Sequence, residues 1–263
     1  MAEINLRETI ERARTAQGAQ LENLLYHRSR EVLDALLGNP ALREQHLLLL
    51  LSRKDLSREM LTAIAQKKQW MRSYSLKTAV LKHPKTPRHV ALPLLRFIYL
   101  FDLVEIASAV GVAPDLKRLV EDTILAQREG LATGQRLALA RRGTHRVAGG
   151  LLNDPDPRVI QAALQNPALT EQAVAAALQV EKGAAELTAA VAENVRWKTR
   201  RGIKLALVRS RHLSLARFAA ILPDLTLPDL DDLVDDPRVA PNIRSYVAKL
   251  AGTRKVRMKK KKV

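Results

Sequence analysis

The chain has 263 residues, 47% of them hydrophobic, with three Phe, two Trp and four Tyr, no cysteine, and 44 Lys+Arg against 27 Asp+Glu for a net charge of +17. That apolar fraction supports a substantial core and excludes wholesale disorder, while the absence of cysteine excludes a disulfide framework, a cysteine-ligated zinc site and thiol catalysis. Aliphatic side chains with few aromatics and glycines favour helices over strands, and the charge calls for an anionic partner or surface.

In chain order, residues 1–28 read as an N-terminal helical cap whose start, MAEINLRETIERARTAQ, mixes both signs and lacks the apolar stretch of a signal peptide. The longest leucine run, Leu47 to Leu51, is far short of the roughly 20 apolar residues a bilayer needs, so no integral membrane insertion is expected. The expectation is a soluble intracellular protein, cytoplasmic or, in a nucleated cell, nuclear.

Three segments then read alike: ALLGNPALREQHLLLLL from Ala35, AVLKHPKTPRHVALPLL from Ala79 and AALQNPALTEQAVAAAL from Ala162. Weaker copies start at Thr123 and Ala206, so the anchors are spaced by 44, 44, 39 and 44 residues. Asn39-Pro40, His83-Pro84 and Asn166-Pro167 stop a helix, because proline lacks an amide hydrogen and pushes its predecessor out of the helical region. Thr86, Thr170 and Ser214 are placed to cap the next helix. A third short helix is expected in segments opening with Asp55, Asp102, Glu186 and Asp229, since an acid favours a helix N-terminus. Aligned without a gap, residues 70–125 and 197–252 share 11 identities at a separation of 127, Trp70/Trp197 and Asp102/Asp229 among them.

Units of this kind cannot bury their apolar side alone and must stack on their neighbours. With a period of 39–44 residues and two or three helices per unit, the sequence from Leu21 to Leu250 resembles the HEAT/armadillo-like α-solenoid superfamily. The resemblance implies an all-α, right-handed α-solenoid of about five repeats plus a terminal half-repeat, one domain over residues 1–252, and a partner-binding inner surface; it does not imply a catalytic activity. Residues 253–263, TRKVRMKKKKV, hold seven cations including Lys259, Lys260, Lys261 and Lys262, no acid and no periodic apolar pattern; they read as a disordered basic tail that leaves +10 on the body.

Two stretches carry no acid. One runs from Lys67 to Phe101 with Lys67, Lys68, Arg72, Lys77, Lys82, Lys85, Arg88 and Arg96; the other from Val195 to Arg217 with Arg196, Lys198, Arg200, Arg201, Lys204, Arg209, Arg211 and Arg217. Between them lies RRGTHR, with Arg141, Arg142 and Arg146. Equivalent positions in stacked repeats share a face, so these patches are expected to form one broken basic stripe able to neutralise several phosphates; the plainer reading is that long basic side chains solvate helix faces. Trp70 and Trp197 are repeat-equivalent, and each shares a helix face with cations. The commoner role for such an indole is packing against a neighbouring repeat, and the alternative is stacking on a base. The acidic residues Asp224, Asp229, Asp231, Asp232, Asp235 and Asp236 are expected to fold onto basic neighbours, because the spacing and glycine of a calcium loop are missing.

No catalytic constellation emerges. GLATGQR at Gly130 lacks the Gly-Lys-Ser/Thr ending of a phosphate loop. His83 and His89 lie across prolines, off any common helix face for a metal, and Gly149-Gly150 reads as a close helix contact. The function read from the sequence is therefore non-enzymatic binding or scaffolding with no cofactor or metal. The partner is nucleic acid or a ribonucleoprotein, with an acidic protein segment a near-equal alternative. Among relatives of the same resemblance, a HEAT-like DNA glycosylase or lyase would need an acid converging with Trp70 or Trp197, and neither Trp-bearing helix carries one.

Overall fold

The computed structural model describes residues 2–180 and 184–260, with side chains for 6–180 and 185–256. It is all-helical, with no strand among the described residues. The chain forms two compact units, residues 1–126 and 127–263.

In the first unit the helices are α1 (Ala2–Thr15), α2 (Gly18–Leu24), α3 (Arg30–Leu36), α4 (Glu44–Ser52), α5 (Arg58–Gln66), α6 (Tyr74–Lys82), α7 (Arg88–Leu95), α8 (Leu100–Ser108) and α9 (Pro114–Gln127). The second has α10 (Thr133–Arg142), α11 (His145–Gly150), α12 (Pro157–Leu164), α13 (Glu171–Ala177), α14 (Ala184–Glu193), α15 (Val195–Lys198), α16 (Arg201–Arg209), α17 (Leu215–Ile221), α18 (Leu227–Asp235) and α19 (Pro241–Lys260). Most are shorter than the dozen or so residues an isolated helix needs, so their stability comes from packing and from capped ends. Ser29, Ser57, Ser73, Thr170, Ser214 and Thr226 each accept a backbone N–H of the first turn that follows. Thr86 does not cap: its hydroxyl turns back to the Val80 carbonyl, and Pro87 precedes α7 instead. Asp55 likewise leaves the start of α5 to Ser57, because its carboxylate is clamped by Arg53 at 2.7 Å.

Helices pack on their next-but-one neighbours, α1 on α3, α4 on α6 and α6 on α8 in the first unit, α10 on α12, α11 on α13 and α12 on α14 in the second. This buries Val32, Leu36, Leu50, Ile64, Val80 and Leu103 in one core and Leu139, Val147, Ile160, Val174, Leu207 and Leu230 in the other. Each fully buried aliphatic side chain contributes about 1.5–3 kcal/mol. Gly149 lets α11 approach α13 closely, since a Cβ there would lie 3.3 Å from that of Ala173.

The second unit repeats the first at an offset of 127 residues, and the repeat is longer than the sequence reading found. α6 and α16, and likewise α8 and α18, coincide end to end at that offset. Asn39 donates from Nδ2 to the carbonyls of Ala13 (2.8 Å) and Ala16 (2.9 Å) and accepts at Oδ1 from the Ala41 amide. Asn166, 127 residues on, does the same with Ala140 (2.8 Å), Gly143 (3.0 Å) and Ala168. Those carbonyls are the orphan acceptors at the ends of α1 and α10, so the asparagine of each Asn-Pro pair closes a helix about 25 residues upstream. With this register fixed by geometry, residues 13–125 and 140–252 share 28 identities without a gap. The expected N-terminal cap, residues 1–28, is thus the counterpart of α10 and α11, an integral part of its unit.

The expected tail also differs. α19 runs through Gly252 to Lys260, so residues 253–260 are helical. Arg254 donates to the carbonyls of Leu222 (3.0 Å) and Leu225 (2.5 Å), and Lys255 pairs with Asp231 at 2.8 Å. These carbonyls and the acid-rich α18 draw in cations that composition alone assigned to a free end. Lys259 and Lys260 close this helix, while Lys261 and Lys262 lie outside the described residues.

Candidate functional site

The two acid-free stretches occupy equivalent elements, α6–α7 and α16–α17, yet their electrostatics diverge. In the second unit five of the eight cations meet a carboxylate: Arg200 with Glu171 (3.2 Å), Arg201 with Asp229, Lys204 with Asp224 (2.6 Å), Arg209 with Asp236 (2.7 Å) and Arg217 with Glu193. Arg196 spends its guanidinium on the carbonyls of Asn166, Pro167 and Leu169. Of the six acids expected to fold onto basic neighbours, Asp224, Asp229, Asp231 and Asp236 do so, and the basic face that the sequence places here is largely neutralised. Arg201, reinforced by the Thr226 hydroxyl and amide, holds the buried Asp229 carboxyl at about 2 against its burial. Hydrogen bonds from Arg238 and Arg209 hold Asp236 far below the carboxylate range.

In the first unit only one of the eight stretch cations pairs with a carboxylate among the described residues, Lys82 with Glu105 at 3.2 Å. The two units differ at three equivalent positions. Lys204 faces Asp224, but the equivalent Lys77 lies 5.0 Å from the ring centroid of Phe97. Arg201 grips Asp229, whereas the equivalent Tyr74 donates its hydroxyl to Asp102, and burial raises that phenol's pKa. Asp236 is replaced by Ala109. Arg72 and Arg88 are exposed without an ion pair among the described residues, as are Arg141, Arg142 and Arg211 in the second unit; Arg146 is exposed as well.

Trp70 and Trp197 do not belong to either surface. Trp197 is 1% exposed and its indole N–H donates to the Leu164 carbonyl at 2.9 Å. Trp70 is 9% exposed under Lys67, whose Nζ lies 5.0 Å from the ring and donates to the equivalent carbonyl, Leu37. Arg196 (4.4 Å) and Arg200 (5.3 Å) cover Trp197 in the same way. Both indoles are packing elements under cationic side chains, and the upstream helix end is capped by the Trp197 indole in one unit and by Lys67 in the other, so neither ring offers a face for a base, and the glycosylase alternative loses the residues it rested on.

The exposed aromatics are others, unremarked in the sequence: Phe97 (50%), Tyr99 (72%) and Phe101 (50%), with Leu92 (55%) beside them. They occupy the α7–α8 connection, LLRFIYLF, where the intervening Ile98 is buried and Leu100 half-buried. Tyr99 packs on Tyr74 with ring centroids 4.9 Å apart, and Arg96 and Lys77 lie 4.8 and 5.0 Å from the Phe97 ring. The matching positions of the second unit are Ala219, Asp224, Thr226 and Pro228. The signal in the sequence was the crowding of four large apolar residues on both sides of a turn where a helix N-terminus is normally polar.

The second unit instead holds a cavity of about 1090 Å³ between α11 and α13, lined by Arg136, His145, Asn153, Asp154, Ala173 and Ala177. At the positions of Asn153, Ala173, Ala176 and Ala177 the first unit has Tyr26, His46, Leu49 and Leu50, so smaller side chains open this space. Its charges come in both signs, with Arg136 and the buried Asp154 paired at 3.1 Å. Among the described residues no cluster of three or more His, Asp or Glu side chains could hold a metal ion, and no helix is long and apolar enough to cross a membrane. No protein-family model, curated protein or solved structure matches the chain.

Proposed function

We propose that this protein is a non-enzymatic binding protein, a HEAT/armadillo-like α-solenoid whose first unit receives a phosphate-rich partner, nucleic acid or a ribonucleoprotein. The observation that carries the reading is the one-sided pairing of its cations: one of eight neutralised on α6–α7 and its flanks, against five of eight on the equivalent elements. Unpaired, exposed cations release counterions when they meet phosphates, and this is the source of sequence-independent affinity. Next-but-one helix packing and the 127-residue repeat support the solenoid reading.

A titration of labelled DNA and RNA at several salt concentrations tests it. Affinity should fall steeply with salt, and Arg72→Glu/Lys77→Glu/Arg88→Glu should weaken binding at least tenfold, while Lys198→Glu/Arg211→Glu in the second unit should change it less than twofold. Absent binding at low salt, or binding indifferent to salt, overturns the reading. Retention of acidic proteins by the full chain after nuclease treatment, with no affinity for nucleic acid, would put an acidic protein segment in its place.

A further inference from the structure

We infer that the preferred partner is single-stranded nucleic acid, whose bases stack on Phe97, Tyr99 and Phe101 while Lys77, Arg96, Arg72 and Arg88 follow its phosphates. The inference rests on the anionic-partner reading above and adds the strandedness of the ligand.

Three large rings half or more exposed within five residues leave apolar surface in water that the same fold avoids 127 residues later, where Asp224, Thr226 and Pro228 stand. Their neighbours are cations. Arg96 and Lys77 flank Phe97, the Tyr74 hydroxyl occupies the nearby Asp102 carboxylate, and Lys82 occupies Glu105. An apolar protein surface alone would not require this charge, and a duplex would not require the rings, because its bases are already stacked inside. A single strand presents both features at once: a base face for each ring, and one phosphate per nucleotide for the cations. Tyr99, braced against Tyr74 at 4.9 Å, gives up little side-chain freedom on stacking.

The test uses the full chain with a labelled mixed-sequence 15-nucleotide single strand, as DNA and as RNA, its duplex, and an abasic strand of equal length and charge. Wild type should bind the single strand at least tenfold more tightly than the duplex or the abasic strand. Phe97→Leu/Tyr99→Leu/Phe101→Leu, which keeps the surface apolar but removes the rings, should lose at least tenfold on the single strand and less than twofold on the duplex. Circular dichroism and thermal melting check that it folds, as expected for exposed positions; if it does not, the single variant Tyr99→Leu carries the same comparison with a smaller loss. Equal affinity for single strand and duplex, or leucine variants that bind the single strand as wild type does, overturns the inference and leaves the anionic-partner reading intact. Binding to no nucleic acid at all overturns that reading itself. Whichever of DNA and RNA binds more tightly identifies the sugar.

Discussion

Replacing Asn166 tests how the second unit is held together internally. Its amide is 2% exposed and makes three hydrogen bonds of 2.8–3.0 Å, two of them to the carbonyls that end α10. Asn166→Ala leaves two carbonyls and one amide N–H without partners. At about 0.5–1.5 kcal/mol net per buried hydrogen bond, the unit should lose about 2–4 kcal/mol. Asn166→Asp is more revealing, because a carboxylate would point at two carbonyl oxygens and its pKa must rise in the folded state. An acid whose folded pKa lies above its unfolded value destabilises the protein progressively as pH climbs from the unfolded pKa to the folded one. Asn166→Asp should therefore resemble Asn166→Ala near pH 4, where a protonated acid can still donate once. It should be worse by about 1–2 kcal/mol at pH 7, at about 1.4 kcal/mol per unit of pKa rise. Urea unfolding followed by circular dichroism at both pH values measures this, and the same substitutions at Asn39 should lower the stability of the first unit equally. A loss under about 1 kcal/mol, or an Asp variant insensitive to pH, would refute the capping role.

Asp229, at about 2 in the folded unit against an ordinary aspartate value of 3.8, contributes stability that is present above pH 3.8 and is lost as pH falls toward 2; Asp229→Asn should remove that part of the acid-unfolding curve and cost about 2 kcal/mol at pH 7. Ending the chain at Gly252 should lower stability by about 1–3 kcal/mol, and Arg254→Ala should reproduce most of the loss, because the Leu222 and Leu225 carbonyls lose their donor; unchanged thermal melting would refute it. Gly143→Ala should destabilise by about 1–3 kcal/mol, since its Cβ would lie 2.6 Å from the Leu139 carbonyl oxygen, whereas Gly202→Ala should be nearly neutral because the atom met at 2.5 Å is the movable end of Glu171. Trp197→Phe should cost about 1–2 kcal/mol through the lost bond to Leu164, and leave nucleic-acid affinity unchanged.

What could be read from the sequence was what is local. Asn-Pro pairs, acids near helix starts and the caps Thr170 and Ser214 act within a few residues, and the helices lie where those signals put them. What could not be read acts across neighbouring helices. The stretch from Val195 to Arg217 contains no acid in sequence, but α18 and its approach return Asp224, Asp229 and Asp236 to it from 20–28 residues downstream. The same distance makes Asn39 and Asn166 partners of helix ends upstream, where the sequence suggested only a stop. Trp70 and Trp197 were correctly matched to one another, but a matched position says nothing about whether a side chain faces solvent.

The comparison between the two units supplies what neither gives alone. They share a register to the residue, so a difference at an equivalent position is a difference in use of the surface rather than in fold. Where the second unit closes its basic face with carboxylates, it gains fixed pairs of which the best-buried member, Asp229, is 1% exposed. The first unit gives up those pairs, sets Phe97 in the place of Asp224, and leaves Tyr99 and Phe101 in water. Exposing three aromatic rings forgoes on the order of a kcal/mol or more each relative to burying them, and leaving cations unpaired forgoes the modest gain of an ion pair. Both concessions fall on one stretch of one unit, within the thirty residues from Arg72 to Phe101, and a surface that binds a partner carrying both bases and phosphates recovers both.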